Sequence, residues 1–168
     1  MKTVKIFHDW EFIEDGETID PISVGMVKET GETYYAIFRD FDPTKANQWV
    51  VDNVLAKLES PLDVPRKAAT RIRDEILEFV GKDTPEFWGL YSAYDHVVLC
   101  QLFGLMIELP KGWPYLTLDV KQLHIDCGCP DIPKQDADTE HNALADARYI
   151  RQQHEFLVDY RYDQSKKK

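Results

Sequence analysis

The first 38 residues carry the pattern that most restricts how this chain can fold. Residues 3–12, 19–28 and 33–38 are three runs rich in β-branched and aromatic residues, and short segments containing Gly16 and Gly31 separate them. Parallel strands need a crossover of about a dozen residues or more, whereas strands joined by such short turns pair antiparallel. The start of the chain is therefore predicted to form an antiparallel meander of three strands.

Beyond residue 43 the pattern changes to helical segments that alternate with short apolar runs. The predicted helices cover residues 44–49, 51–58, 66–80, 94–103, 120–127 and 142 to about 160, and the predicted strands cover residues 86–91 and 115–119. Short apolar strands between helices are typical of buried parallel strands. We therefore expect an α/β fold of the mixed type, in which a five-stranded sheet has three antiparallel strands, then two parallel ones, and helices on both faces.

Length and charge narrow the class of protein. The 168 residues predict a single domain over residues 1–162, followed by a basic tail at residues 163–168. A net charge of −10 argues against a protein that holds nucleic acid mainly through its phosphates, but it is compatible with an enzyme that grips only a chain end. No apolar run approaches the ~18 residues of a membrane span. The three cysteines do not suggest a disulfide framework, so we expect a cytoplasmic protein without membrane association.

Two carboxylates lie near the end of the first predicted strand. Asp9 and Glu11 are two residues apart, so both point to the same face of the strand, and Trp10 points to the other. Neighbouring carboxylates on an apolar strand repel each other and lose solvation, and a bound cation would relieve both costs. The alternative is that the strand is already turning into the acidic loop at residues 14–17 and that both acids are solvated.

Three further polar residues open helices. Asp95 lies in the first turn of the helix that follows the fourth strand and shares the apolar side of that helix, although the spacing Ser92-x-x-Asp95 also fits a capping box. Asp146 lies near the start of the last helix, five residues after His141. Two helical residues five positions apart face different directions, so the two side chains can meet only if His141 lies at the helix start or in the preceding loop. The alternative is a surface histidine.

The ordered set of D-x-E, a lone Asp and H-x-x-x-x-D resembles the DEDDh-type 3′-5′ exonucleases of the ribonuclease H-like superfamily. The resemblance covers residues 3–160 and is strongest to the bacterial and phage-type polyadenylate-specific 3′-exoribonuclease AS family. The matching stretches are DWEFIEDG at residues 9–16, AYDHVVLCQL at residues 93–102 and HNALADAR at residues 141–148. Two departures from the family pattern are Ser92 or Ala93 in the region where an Asn is common, and the bulky Trp10 between the first two acids.

Four carboxylates without a cysteine form a hard oxygen site, which favours Mg²⁺ or Mn²⁺. The resemblance implies two ions per active site and a role for each residue. Asp9, Glu11 and Asp146 would hold the ion that activates water, Asp9 would bridge to the second ion, and Asp95 would support that second ion through water. His141 would be the general base.

The resemblance further implies that the substrate is an RNA 3′ end, with or without a 3′ overhang, and that the product is AMP or another nucleoside 5′-monophosphate. Phe12 and Ile13, just past the carboxylates, and Tyr94, beside Asp95, are the candidate substrate-binding residues, and ordinary core packing is the alternative for Phe12 and Ile13. A homodimer is implied by the resemblance alone.

Three other functions share this pattern. One is a DNA-directed or proofreading 3′-5′ exonuclease with the same site. The second is a catalytically silent module that binds a nucleotide or RNA on the same fold, although an unused cluster of acids would be a liability for stability. The third is an endonuclease of the ribonuclease H-like type.

Overall fold

A five-stranded mixed sheet forms the centre of the molecule. The protein is described here by a computed structural model that covers residues 2–166. The strands are β1 (Thr3–Glu14), β2 (Ile19–Lys28), β3 (Thr33–Ile37), β4 (Thr84–Gly89) and β5 (Leu118–Asp119). Their order is β3-β2-β1-β4-β5, in which β1, β2 and β3 pair antiparallel and β1, β4 and β5 pair parallel. The predicted sheet, with three antiparallel strands and then two parallel ones, is confirmed.

Five helices cover the two faces of this sheet. They are α1 (Gln48–Asn53), α2 (Ala69–Val80), α3 (Ala93–Phe103), α4 (Val120–Asp126) and α5 (Ala143–Ser165). One face packs against α2 and α3 through a cluster that includes Trp10, Ile72 and Leu99. The other face packs against α4 and α5 around Phe7 and Ile150. Helices therefore lie on both faces, as the sequence predicts.

The central strand β1 extends well past its parallel neighbour. Its parallel pairing with β4 runs only from Thr3 to Phe7, whereas its antiparallel pairing with β2 continues to Glu14. The register to β2 shifts between Glu11 and Phe12. A shift of this kind is a β-bulge, which bends the strand and redirects the side chains beyond it. Asp9 and Glu11 lie in the part of β1 beyond Phe7, where the strand still pairs with β2 but no longer with β4.

Several element boundaries differ from the prediction. Residues 66–68 are extended rather than helical, because the backbone of Lys67 exchanges hydrogen bonds with Ile37 and Arg39 next to β3. The region 44–58 contains α1 between two short 3₁₀ turns instead of two α-helical pieces. The fifth strand has two residues rather than five.

The last helix also ends later than predicted. It continues to Ser165 and so passes the predicted boundary between domain and tail at residues 162 and 163. The final lysines of that tail, Lys167 and Lys168, lie outside the described residues. Across residues 2–166, none of the helices combines the length and the apolar character that a membrane crossing requires.

Candidate active site

The acidic residues of β1 border a cavity at the end of the strand where β4 no longer pairs with it. The cavity has a volume of about 330 Å³, which is within the range of small-molecule sites. Its lining residues are Asp9, Trp10, Glu11, Leu90, Gln135, Glu140, His141, Asp146, Tyr149 and Ile150. Four of the five predicted catalytic residues therefore line one cavity.

Asp9 and Glu11 lie on the α5 side of β1, and the residues opposite them on β2 are small. Asp9 pairs with Gly25, and Glu11 pairs with Ser23. A Cβ atom at Gly25 would lie only 2.2 Å from the backbone carbonyl oxygen of Ala143. The absence of a side chain at Gly25 thus allows the first turn of α5 to lie directly on the sheet, and this close approach brings Asp146 to the two acids of β1.

His141 lies in the turn before α5, as its convergence with Asp146 requires. The helix begins after Asn142, whose side chain accepts a hydrogen bond from the Ala145 backbone N at 3.1 Å. The backbone N of His141 donates to Asp146 Oδ2 at 2.9 Å. His141 has φ 64°, a left-handed conformation that is uncommon for a residue with a side chain. This turn folds the imidazole back toward the acids, and ligand atoms of Glu11, His141 and Asp146 all lie within 4.8 Å of one another.

Asp95 reaches the site from α3 and binds the backbone of β1. It is 6 % exposed, and its Oδ1 accepts a hydrogen bond from the Trp10 backbone N at 2.9 Å. This N–H lies past the end of the β4 pairing, so the carboxylate takes the place of a strand partner. The alternative capping box does not form, because Ser92 makes no side-chain cap and donates instead to the Leu118 carbonyl oxygen. Asp95 is thus held against the backbone of β1 at the residue between Asp9 and Glu11.

Burial and mutual repulsion make these acids difficult to ionise without a cation. Burial, followed by the charges of Asp95, Glu11 and Asp146, raises the pKa of Asp9 well above its usual value. Burial and the neighbouring carboxylates raise the pKa of Glu11 to about 8, and Lys57 opposes this shift. Burial raises the pKa of Asp95 to about 7, against the hydrogen bond from β1. Burial also raises the pKa of Asp146.

The donor set fits a hard divalent cation. Carboxylate oxygens dominate it, the imidazole of His141 is the sole nitrogen donor in the three-residue cluster, and no cysteine takes part. Such oxygen-rich sets suit Mg²⁺ and Mn²⁺. A bound cation would also oppose the repulsion that, after burial, contributes to the raised pKa values of Asp9 and Glu11.

The three predicted substrate-binding residues lie in different environments. The rings of Phe12 and Tyr94 are 5.9 Å apart between centroids and meet edge to face, and Tyr94 is 51 % exposed. Ile13, in contrast, is 4 % exposed and packs with Ile22 and Val50 in a small core cluster beneath α1. Phe12 and Tyr94 thus offer an aromatic surface beside Asp95, whereas Ile13 fills the core.

Sequence reasoning missed several residues around the acids. The ring of Trp49 meets the ring of His141 edge to face at 4.8 Å. The Lys57 ammonium donates to the carbonyl oxygen of Glu140 at 2.8 Å, and the Gln135 amide donates to Asp146 Oδ1. No local pattern identifies these residues, because each becomes part of the site only through a distant chain segment.

Comparison with known proteins extends these observations. The 3′-5′ exoribonuclease Rv2179c-like domain model matches residues 4–158. The 3′-5′ exoribonuclease Rv2179c of Mycobacterium tuberculosis strain H37Rv is 45% identical over 148 residues, which cover 86% of this chain and 88% of the relative. The 3′-5′ exoribonuclease MT2234.1 of strain CDC 1551 shows the same identity and coverage.

Solved structures of exonuclease I share the fold. The Escherichia coli enzyme in complex with a 5cy-dT13 oligonucleotide has a TM-score of 0.63 at 14% identity and covers 98% of this chain. A zinc-bound complex of the same enzyme with single-stranded DNA has a TM-score of 0.62 at 14% identity and covers 96% of this chain. The chain spans about two fifths of these longer proteins, namely 42% and 41%. The likeness confirms the ribonuclease H-like fold, and by the match over residues 4–158 the chain belongs to the Rv2179c-like 3′-5′ exoribonuclease domain family.

Proposed function

We propose that this protein is a metal-dependent 3′-5′ exoribonuclease of the DEDDh type that releases nucleoside 5′-monophosphates from RNA 3′ ends. The observation that carries the proposal is the convergence of Asp9, Glu11, His141 and Asp146 around one cavity, with Asp95 of α3 hydrogen-bonded to the adjoining backbone of β1, in a chain of this family. We also propose that, among the DEDDh enzymes, the protein is most similar to the polyadenylate-specific exoribonuclease AS branch. This similarity predicts a preference for RNA that ends in an adenylate tail.

The four carboxylates would hold two ions, Mg²⁺ or Mn²⁺. Asp9, Glu11 and Asp146 would bind the first, and Asp9 with Asp95 would bind the second. When bound, such ions lower the pKa of water and stabilise negative charge on the attacking and leaving oxygens. This ligand set accounts for the burial of four acids that would otherwise repel each other.

His141 acts as the general base. Its imidazole takes a proton from the water that attacks phosphorus. The bond between phosphorus and the 3′ oxygen of the preceding nucleotide then breaks, and that oxygen acquires a proton from solvent. The hydrogen bond from the His141 backbone N to Asp146 fixes the base relative to the acids.

The aromatic pair Phe12 and Tyr94 would contact the terminal base. Stacking on aromatic rings is indifferent to base identity, so this contact supplies affinity rather than sequence preference. The named activity of the relatives supports RNA as substrate. DNA is the second candidate, because the fold neighbours are solved with DNA oligonucleotides.

One experiment tests these assignments together. Matched RNA and DNA oligonucleotides, single-stranded or with a 3′ overhang and ending in adenylate or uridylate tails, are incubated with Mg²⁺ or Mn²⁺, and the products are resolved. We expect mononucleotide release from RNA 3′ ends, none in EDTA, none for Asp146→Asn, and a large loss of rate for His141→Ala.

Each other outcome points to a different function. Faster release from DNA would favour the DNA-directed exonuclease, and internal cleavage products would indicate an endonuclease. Binding of AMP without turnover would indicate a silent binding module. Full activity of Asp146→Asn would overturn the proposed site. The homodimer and the cytoplasmic location stay predictions, and light scattering would test the first.

A further inference from the structure

The three consecutive residues just before α5 are held by a single segment, residues 49–59, which we call the clamp. The Lys57 ammonium donates to the Glu140 carbonyl oxygen at 2.8 Å. The Trp49 ring contacts the His141 ring at 4.8 Å with an interplanar angle of 79°. The Asn142 side-chain Nδ2 donates to Glu59 Oε1 at 3.1 Å. The clamp thus contacts the residue before His141, His141 itself and the residue after it.

The C-terminal end of the clamp is tied to the sheet. The other carboxylate oxygen of Glu59, Oε2, accepts a hydrogen bond from the Tyr35 hydroxyl of β3 at 2.7 Å. The Arg66 guanidinium donates to the Glu59 carbonyl oxygen at 2.8 Å. The carboxylate of Glu59 therefore links Asn142, the capping residue of α5, to Tyr35 on the edge strand β3.

Packing fixes the N-terminal end of the clamp. Val50 and Val54 are 7 % and 1 % exposed, and they pack with Ile13 and Ile22 in one cluster. Trp49 precedes Val50 on α1 and points outward, with 54 % of its surface exposed. The body of α1 is therefore anchored beneath the end of β1, while Trp49 extends toward His141.

His141 needs such support because little else holds its ring. It lies outside the helix in a left-handed conformation, and a residue with a side chain keeps that conformation only where its surroundings impose it. In the described part of the chain its hydrogen bond to the acids is made by the backbone N, whereas the imidazole itself meets Trp49. The ring position therefore depends on the clamp.

We propose that the clamp sets the position of the His141 imidazole, and that Trp49, Lys57 and Glu59 are positioning residues for the reaction. The kinetic part of this inference rests on the proposed function, in which His141 is the general base. The structural part does not, because the contacts hold the ring whether or not it takes a proton.

The test compares substitutions at the two ends of the clamp. Trp49→Ala removes the aromatic contact and Glu59→Leu removes the acceptor for Asn142, whereas Trp49→Phe and Glu59→Gln retain a ring and an amide oxygen. Lys57 is left unchanged, because it also lies near Glu11 and its removal would alter the acids directly. Lys82→Met, at an exposed position just after α2, is the control.

The first measurement is the ¹H–¹³C NMR signal of the His141 ring in the metal-free protein, assigned by its loss in His141→Ala. The chain has five histidines, so the other four serve as internal references. We expect the His141 signal to move in Glu59→Leu, which removes no aromatic ring, while the other four stay in place; Trp49→Ala takes a ring current away from His141 directly, so its kinetics are the readout for that variant. Glu59→Gln and the control should keep the wild-type position.

The second measurement is kcat and KM on an RNA substrate. A misplacement of about 1 Å can lower a rate by about a hundredfold, so we expect kcat to fall roughly tenfold to a hundredfold in the two disruptive variants. KM should change by less than about threefold, since the base does not hold the substrate. The conservative variants should restore most of the rate.

The outcomes separate this inference from the proposed function. An unmoved His141 signal in Glu59→Leu would overturn the clamp. A raised KM with unchanged kcat in Trp49→Ala would overturn the positioning role and place Trp49 against the substrate instead. If His141→Ala kept the full rate, the proposed base would fail, and the NMR signal would still decide whether the clamp holds the ring.

Discussion

Replacing Glu11 by glutamine tests the idea that the acids of this site destabilise the protein until a cation binds. Burial and the nearby carboxylates raise the pKa of Glu11 from 4.5 to about 8. The folded state therefore retains a proton that the unfolded state has already lost between these two values. Unfolding then becomes easier as the pH rises through this window, and the stabilising contribution of protonated Glu11, complete below 4.5, is gone above about 8.

The pKa shift and the burial of Glu11 determine how much the free energy of unfolding should change. Each pKa unit corresponds to ~1.4 kcal/mol, so the full shift of Glu11 has an upper bound of about 5 kcal/mol. Glu11 is only partly buried and its carboxylate is exposed to the cavity, so solvent screening reduces this figure to about 2 kcal/mol. Glutamine has the same shape and no charge. We therefore expect metal-free Glu11→Gln to be more stable than the wild type by about 2 kcal/mol near pH 8, and equally stable near pH 5.

Urea unfolding in EDTA measures this difference, and urea is preferred to guanidinium because it does not screen charge. Glu14→Gln, at the exposed end of β1, is the matched control and should not change the free energy of unfolding at either pH. With excess Mg²⁺ or Mn²⁺ the wild type should become more stable than Glu11→Gln. Its free energy of unfolding rises by about 2.7 kcal/mol at a metal concentration a hundredfold above Kd, and that of the variant rises by less. If Glu11→Gln were less stable than the wild type near pH 8 without metal, the inferred repulsion would be refuted.

Two further predictions concern packing and substrate contact. Gly25→Ala should lower the free energy of unfolding by about 3 kcal/mol, because the new methyl group meets the Ala143 backbone; Gly16→Ala, whose added Cβ has open space, should cost about 1 kcal/mol by thermal unfolding. Phe12→Ala should raise KM for RNA about tenfold with a smaller change in kcat, as expected for the loss of one stacked base; an unchanged KM in steady-state kinetics would remove Phe12 from the substrate site.

The parts of the site that the sequence predicts are those that depend on local periodicity. The two-residue spacing of Asp9 and Glu11 places both on one face of a strand, and the structure keeps them there. The condition that His141 must lie before the helix is met by the turn that ends at Asn142. Helix and strand types follow from the same local patterns, and so does the order of antiparallel and parallel strands.

The parts that the sequence does not predict depend on contacts between distant segments. Asp95 accepts its hydrogen bond from a backbone N 85 residues earlier, and local spacing favours a capping box equally well. The bonds from Lys57 to Glu140 and from Asn142 to Glu59 each span 83 residues. Periodicity assigns a side chain to a face of its own element, but it contains no information about which backbone group or side chain meets that face.

The four acids come from three elements, β1, α3 and α5, so their full repulsion arises only when these elements pack together. Asp9 and Glu11 alone are two carboxylates on a solvated strand, and they meet Asp146 and Asp95 only after α5 and α3 pack against β1. The close approach at Gly25 makes the packing of α5 the step that concentrates the charge. Repulsion is therefore weak in partly folded states and strong in the native state, where a cation can relieve it. Because the sheet forms without this charge, we infer that cation binding stabilises the packing of α5 on the sheet more than the sheet itself, so that added Mg²⁺ should slow amide exchange most in the first turns of α5.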